Sequence, residues 1–85
     1  MSQEFKAIRG IVLEEVETLG KPSSNIAAIG YDETYQVIET EFLNGRTYQA
    51  FGCSKELFEE YKKAESKGKF YHAHIRDQFT IIEVT

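Results

Sequence analysis

The chain has 85 residues, and 10 Lys plus Arg against 14 Asp plus Glu give a formal charge of −4 at pH 7. A chain this short buries about 60–65 % of its unfolded surface, enough for one modest core and too little for a separate catalytic domain. Hydrophobic residues make up 41 %, including 6 Phe and 5 Tyr, which is too rich for a disordered chain.

Gly20-Lys21-Pro22-Ser23-Ser24 is a breaker cluster that sets residues 1–22 apart as a lead-in. Phe5, Ile8, Val12 and Leu19 keep a helical stripe there, while Ile11-Val12-Leu13 with Val16 patterns as an edge strand. A short helix followed by an edge strand is predicted. Residues 23–85 form the domain proper. Asn25 to Tyr31 and Tyr35 to Leu43 read as strands joined by the polar turn Asp32-Glu33-Thr34. Ile38, Thr40 and Phe42 alternate with Glu39 and Glu41, the signature of a sheet wet on one side. Asn44-Gly45 then signals a second hairpin into a strand from Arg46 to Phe51. Ser54 can cap a helix from Lys55 to Ser66 whose apolar face is Leu57, Phe58, Tyr61 and Ala64, with Glu59 placed to pair with Lys62 and Lys63. Gly68 is predicted as its left-handed stop, so Gly68→Val should destabilise through its positive φ. Phe79 to Val84 is the closing strand. The fold class is α+β: a small antiparallel sheet of three to five strands, packed by one main helix after the central hairpin.

Several blocks go beyond generic strands and turns: Ser24-Asn25-Ile26, Ile29-Gly30-Tyr31-Asp32, Phe42-x-x-Gly45-x-x-Tyr48, and Ala64-x-Ser66-Lys67-Gly68 with Ile75-Arg76. Their order and spacing resemble the KTSC domain, a family found at the C-terminus of some lysyl-tRNA synthetases and as free-standing small bacterial and phage proteins. The resemblance runs from Ser23 to about Val84. It implies no established activity, and RNA binding only as a suggestion from the appendage to a synthetase. The sequence departs from the family pattern at Tyr48-Gln49-Ala50, where a second tyrosine is usual. It departs again at Cys53-Ser54, where Val-Pro is usual, and at Phe70-Tyr71-His72, where the third position is usually Asn.

The net charge hides an asymmetry. Tyr61 to Arg76 holds five basic residues and one acid, a local +4 that leaves −8 on the remainder. Single-stranded RNA is held by aromatic rings under its bases and cations on its phosphates. Lys67, Lys69, Tyr71, His74 and Arg76 interleave those residue types, and Arg46 and Tyr48 can join from the hairpin. Gly68 would let backbone approach a ligand. Replacing Lys67, Lys69 and Arg76 by Ala should then abolish binding without loss of stability. Whether Tyr48 is available depends on register. A two-residue turn at Asn44-Gly45 puts it opposite Phe42 and Ile38, and a three-residue loop with a bulge at Gly45 puts it on their side.

His72, His74, Cys53 and Asp77 make a weak metal or nucleophile constellation without a motif to orient it, so neither catalysis nor a metal or other cofactor is expected. A protein partner met through a sheet edge or the lead-in is the competing reading. The single Cys53 suits a reducing, cytoplasmic setting. The longest apolar run, Ile26 to Ile29, is too short to cross a membrane, and Met1-Ser2-Gln3-Glu4 starts no targeting signal, so no membrane association is expected.

Overall fold

In the computed structural model, which describes residues 6–16 and 25–84, five antiparallel strands lie side by side in chain order. They are β1 (Leu13–Glu15), β2 (Ile26–Asp32), β3 (Val37–Phe42), β4 (Thr47–Phe51) and β5 (Thr80–Glu83). Between β4 and β5 the chain leaves the sheet to form α1 (Lys55–Lys63), α2 (Lys67–Phe70) and a π-helical turn (Tyr71–Ile75), then returns beside β4. The fold is α+β, with the helical excursion covering one face of the sheet.

Local chemistry sets both central hairpins. At the first, the Tyr35 N–H donates to Asp32 Oδ1 (3.0 Å) and Gln36 takes a φ of 56°. The turn therefore consumes Tyr35, which had patterned as strand, and leaves it exposed. At the second, the Gly45 N–H donates to the Phe42 carbonyl (3.0 Å) and the Phe42 N–H to the Arg46 carbonyl (2.8 Å), with Gly45 at φ 91°. This is the three-residue loop with a glycine bulge, because its left-handed residue falls where only glycine is unstrained. Strand pairing follows from it: Thr40 lies opposite Tyr48 and Ile38 opposite Ala50.

Since side chains alternate across a strand, that register sorts the sheet. Ile29, Ile38 and Ala50 turn to the helical side, as do the rings of Tyr31, Phe42 and Tyr48. They meet Phe58 and Tyr61 of α1 with Tyr71 and Ile75 of the π turn, around a buried Cys53. Tyr31 stacks on Phe58 (centroids 5.2 Å) and Tyr61 on Phe70 (5.3 Å). The buried Thr40 and Tyr61 hydroxyls satisfy each other at 2.9 Å.

The other face is less wet than the Glu39/Glu41 alternation suggested, because the chain before β1 runs across it. The Ile8 N–H donates to Gln49 Oε1 (2.8 Å), and Gln49 Nε2 donates to the Ile8 carbonyl (2.7 Å) and to Glu39 Oε1 (2.6 Å). A fully buried amide side chain thus acts as a strand neighbour for this segment. Gly30 permits the approach, since a Cβ there would overlap the Val12 carbonyl and lie 2.8 Å from Leu13 Cδ2. Residues 6–12 carry no helix, which corrects the predicted helical lead-in over that span: the Ile8 N–H and carbonyl are bonded to the Gln49 side chain instead of to a helical turn. Phe5 and Leu19 of the predicted stripe lie outside the described residues.

The helical excursion departs most from expectation. Ser54 Oγ accepts from the Leu57 N–H (3.1 Å) and starts α1, but the helix ends at Lys63, three residues early, as Ala64 turns to extended ψ 135°. Ser66 then caps α2 by accepting from the Lys69 N–H (3.3 Å). Gly68 is inside α2 and has no positive φ, so it is not a left-handed stop. Its lack of a side chain matters for another reason: a Cβ would sit 2.6 Å from Asn25 Oδ1. Lys62 reaches Glu14 of β1 at 3.8 Å and lies over the Phe58 ring, a partly exposed pair of small energetic weight.

Burial of these polar core groups links stability to alkaline pH. It pushes the Cys53 thiol from 9.0 up to about 11 and the Tyr71 phenol from 10.0 up to about 12, and raises Tyr61 further. The folded chain therefore keeps protons that the unfolded chain releases. Their stabilising contribution is complete below pH 9 and is lost as pH rises through 9 to 11 for Cys53 and 10 to 12 for Tyr71. In an alkaline titration, Tyr61 and Tyr71 should ionise only as far-UV circular dichroism is lost. Ionisation of all 5 tyrosines with the fold intact would contradict this.

Candidate nucleic-acid interface

The register that turns Tyr48 toward Phe42 also opens a cleft where β3, β4 and β5 meet the end of the helical excursion. Phe42, Tyr48 and Ile81 supply its sheet side, and Tyr71, His72, Arg76 and Asp77 its helical side, around a volume of about 410 Å³. The Phe42 ring meets Tyr48 edge to face at 5.7 Å and Tyr71 at 5.2 Å. Tyr71 is 5 % exposed and packed among core rings, so its faces are committed to the protein. Tyr48 is half-buried, with ring surface left for a ligand.

The π-helical turn arranges the polar rim. Its widened pitch is closed by the Arg76 N–H donating to the Tyr71 carbonyl (2.8 Å), a bond spanning five residues. His72 and Arg76 then stand one above the other, with Arg76 Nη1 3.0 Å from His72 Nδ1. A guanidinium has only donors, so Nδ1 accepts and the imidazole proton resides on Nε2. Asp77 lies 3.8 Å from Arg76 Nε. On the hairpin, the Tyr48 hydroxyl raises the pKa of the exposed Arg46 by hydrogen bonding, with Glu83 adding to the effect. Arg76 of the π turn thus lines the cleft, and Arg46 of the hairpin meets the hydroxyl end of Tyr48.

The predicted site residues divide. Tyr48, Tyr71 and Arg76 line the cleft, and Arg46 borders it through Tyr48. Lys67 does not belong to it: the residue is 2 % exposed, and Nζ donates to the Ala64 carbonyl (2.9 Å), closing the turn between α1 and α2. Burial lowers its pKa, the reverse of what a phosphate ligand would do. Lys69 is exposed on α2, and His74 packs against Phe70 (4.6 Å), both outside the cleft lining. Tyr71 cannot stack on a base, because core packing occupies its ring. Phe42, His72, Asp77 and Ile81 were missed as a group. The signal for Phe42 and Ile81 was their strand parity with Tyr48, which needs the hairpin register first.

The metal and nucleophile readings gain no geometry. Residues 72–74 are helical, and His72 and His74 engage different partners. Cys53 is buried with its thiol near the Ala50 carbonyl (3.6 Å). Among the described residues, no group of three or more His, Cys, Asp or Glu is placed to hold a metal ion. No helix among them is long and apolar enough to cross a membrane.

Fold and cleft together define a small antiparallel α+β module built around an aromatic and arginine cleft. The KTSC domain model matches residues 22–79, and the chain belongs to the KTSC family. A small protein of Tsukamurella paurometabola, whose name assigns it no activity, is 33 % identical over 60 residues, covering 71 % of this chain and 90 % of that one. A lysine–tRNA ligase of Nostoc sp. is 37 % identical over 60 residues, 69 % of this chain but only 11 % of the ligase. The crystal structure of a KTSC domain protein from Yersinia pestis superposes with a TM-score of 0.77 at 27 % identity, covering 89 % of this chain and 100 % of that one.

The burial of Lys67 separates stability from binding within one basic stretch. Lys67→Ala should lower unfolding free energy by about 1–2 kcal/mol, from lost stem packing and a lost hydrogen bond. Lys69→Ala should stay within about 0.5 kcal/mol of the parent. Chemical denaturation of the two variants checks this, and equal stability would contradict the structural role of Lys67.

Proposed function

We propose that the protein is a non-catalytic binding module that takes a short stretch of single-stranded nucleic acid, RNA in the first instance, at the Phe42/Tyr48/Arg76 cleft. The observation that carries this reading is the pairing of an accessible aromatic floor with two guanidiniums, Arg76 in the cleft lining and Arg46 at the Tyr48 hydroxyl. Stacking on an aromatic ring is sequence-tolerant, and arginine matches phosphate geometry. A cytoplasmic setting, where RNA is met, fits the free Cys53 thiol.

The wider +4 stretch does not act as one surface. Lys62 turns to Glu14 and Lys67 is buried, so the cations at the cleft are Arg46 and Arg76. About two phosphate contacts are therefore available, and the logarithm of affinity should fall against the logarithm of salt with a slope of about −1.4. Salt-titrated affinity for a short single-stranded RNA is the test. The double change Arg46→Ala with Arg76→Ala should weaken binding about tenfold at low salt and flatten the slope, with unchanged melting temperature. Binding indifferent to salt and to both arginines would reject this site in favour of a protein partner.

A further inference from the structure

The cleft is small, and its surroundings limit what can occupy it. A volume of about 410 Å³ lies at the low end of small-ligand sites, about right for one nucleotide and too small for a run of stacked bases. The charge nearby is balanced. Arg46 has Glu83 beside it and Arg76 has Asp77, while the chain outside residues 61–76 carries −8. A long polyanion tracking away from the cleft would meet that negative field. The site therefore suits one unpaired nucleotide better than an extended backbone.

Asp77 is the feature that a phosphate site alone does not explain. A carboxylate repels phosphate, yet this one lines the cleft with its side chain largely exposed and only a loose 3.8 Å contact to Arg76. Ionised, it accepts hydrogen bonds and donates none. Guanine alone presents two adjacent donors, N1–H and the 2-amino group, to two carboxylate oxygens. Adenine and cytosine place a ring acceptor beside their amino group, and uracil has one N–H between two carbonyls. His72 also lines the cleft, its Nδ1 3.0 Å from Arg76 Nη1.

We infer that this cleft holds a single unpaired nucleotide and prefers guanine, with the base on Tyr48 and Ile81, its Watson–Crick edge toward Asp77, and its phosphate toward Arg46. The inference rests on the single-strand reading above and deepens it. Asp77 is the specificity residue, and Tyr48 supplies affinity without discrimination.

The experiment titrates the intact chain with the monophosphates of guanosine, adenosine, cytidine and uridine and with ribose 5-phosphate, following backbone amides by NMR. A pentaribonucleotide with guanine and one without are run beside them. Guanosine monophosphate should perturb the amides of Tyr48, His72 and Asp77 and bind about fivefold tighter than the adenosine compound, the low end of bidentate base discrimination because Asp77 is largely exposed. Asp77→Asn should remove most of that preference, with adenosine monophosphate bound no more weakly than by the parent because a charge that repels phosphate is gone. Ribose 5-phosphate binding as well as guanosine monophosphate would reduce the cleft to an anion site and overturn the inference. A preference that survives Asp77→Asn would also overturn it. Pentanucleotide binding without any mononucleotide effect would reject the one-nucleotide site and leave the single-strand reading standing, and failure of both to bind would reject both.

Discussion

The left-handed backbone at Gly45 is the constraint on which the rest depends. By making the β3–β4 connection a three-residue bulged loop, it places Tyr48 opposite Thr40 and Ala50 opposite Ile38. A slip of one residue would exchange the faces of β4. Gln49 would then turn its amide into the aromatic core, and the Ile8 backbone would lose both hydrogen bonds that hold it on the far face. Tyr48 would leave Phe42, and the cleft would lose its floor. One turn thus couples the core, the path of the N-terminal segment and the candidate site.

The helical excursion solves a second problem, which is how to cover the sheet and still leave an opening. One continuous helix from Lys55 to Ser66 would cover it with a single straight face. The break at Ala64, held by the Lys67 ammonium on the Ala64 carbonyl, lets α2 and the π turn bring Tyr71 and Ile75 into the core separately from Tyr61. The π turn then sets His72 and Arg76 at the rim. Two of the sequence blocks that resemble the KTSC pattern meet in this region, with Gly68 against Asn25. That contact gives the Ser-Lys-Gly block an architectural meaning: serine caps, lysine closes the turn, and glycine makes room.

Much of this was legible in the residues, and the failures share a cause. Period-two alternation and turn chemistry located β2 to β5, and the Ser54 cap located the start of α1, because those signals are local. The bulge at Gly45 was legible as one of two options, and choosing between them needed the long-range packing of Ile38 and Ala50 with Phe58 and Tyr61. Gly68 misled because glycine after a helix usually marks its end, whereas Ser66 two residues earlier was an equally good cap for a new helix. Lys67 misled because charge in a sequence reads as surface, and nothing local shows that a lysine will fold back on a carbonyl three residues away. The cleft itself combines residues from three strands and a helical turn, so no single segment announced it.

The most direct test is to map, by amide chemical-shift perturbation, where a short single-stranded RNA touches the folded chain. Changes should concentrate at Phe42, Arg46, Tyr48, His72, Arg76 and Asp77, with Lys67 and the β1 edge at Leu13–Glu15 unaffected. Perturbations centred on Lys63 and Lys69 at the helix ends, or along β1, with a silent cleft would contradict it.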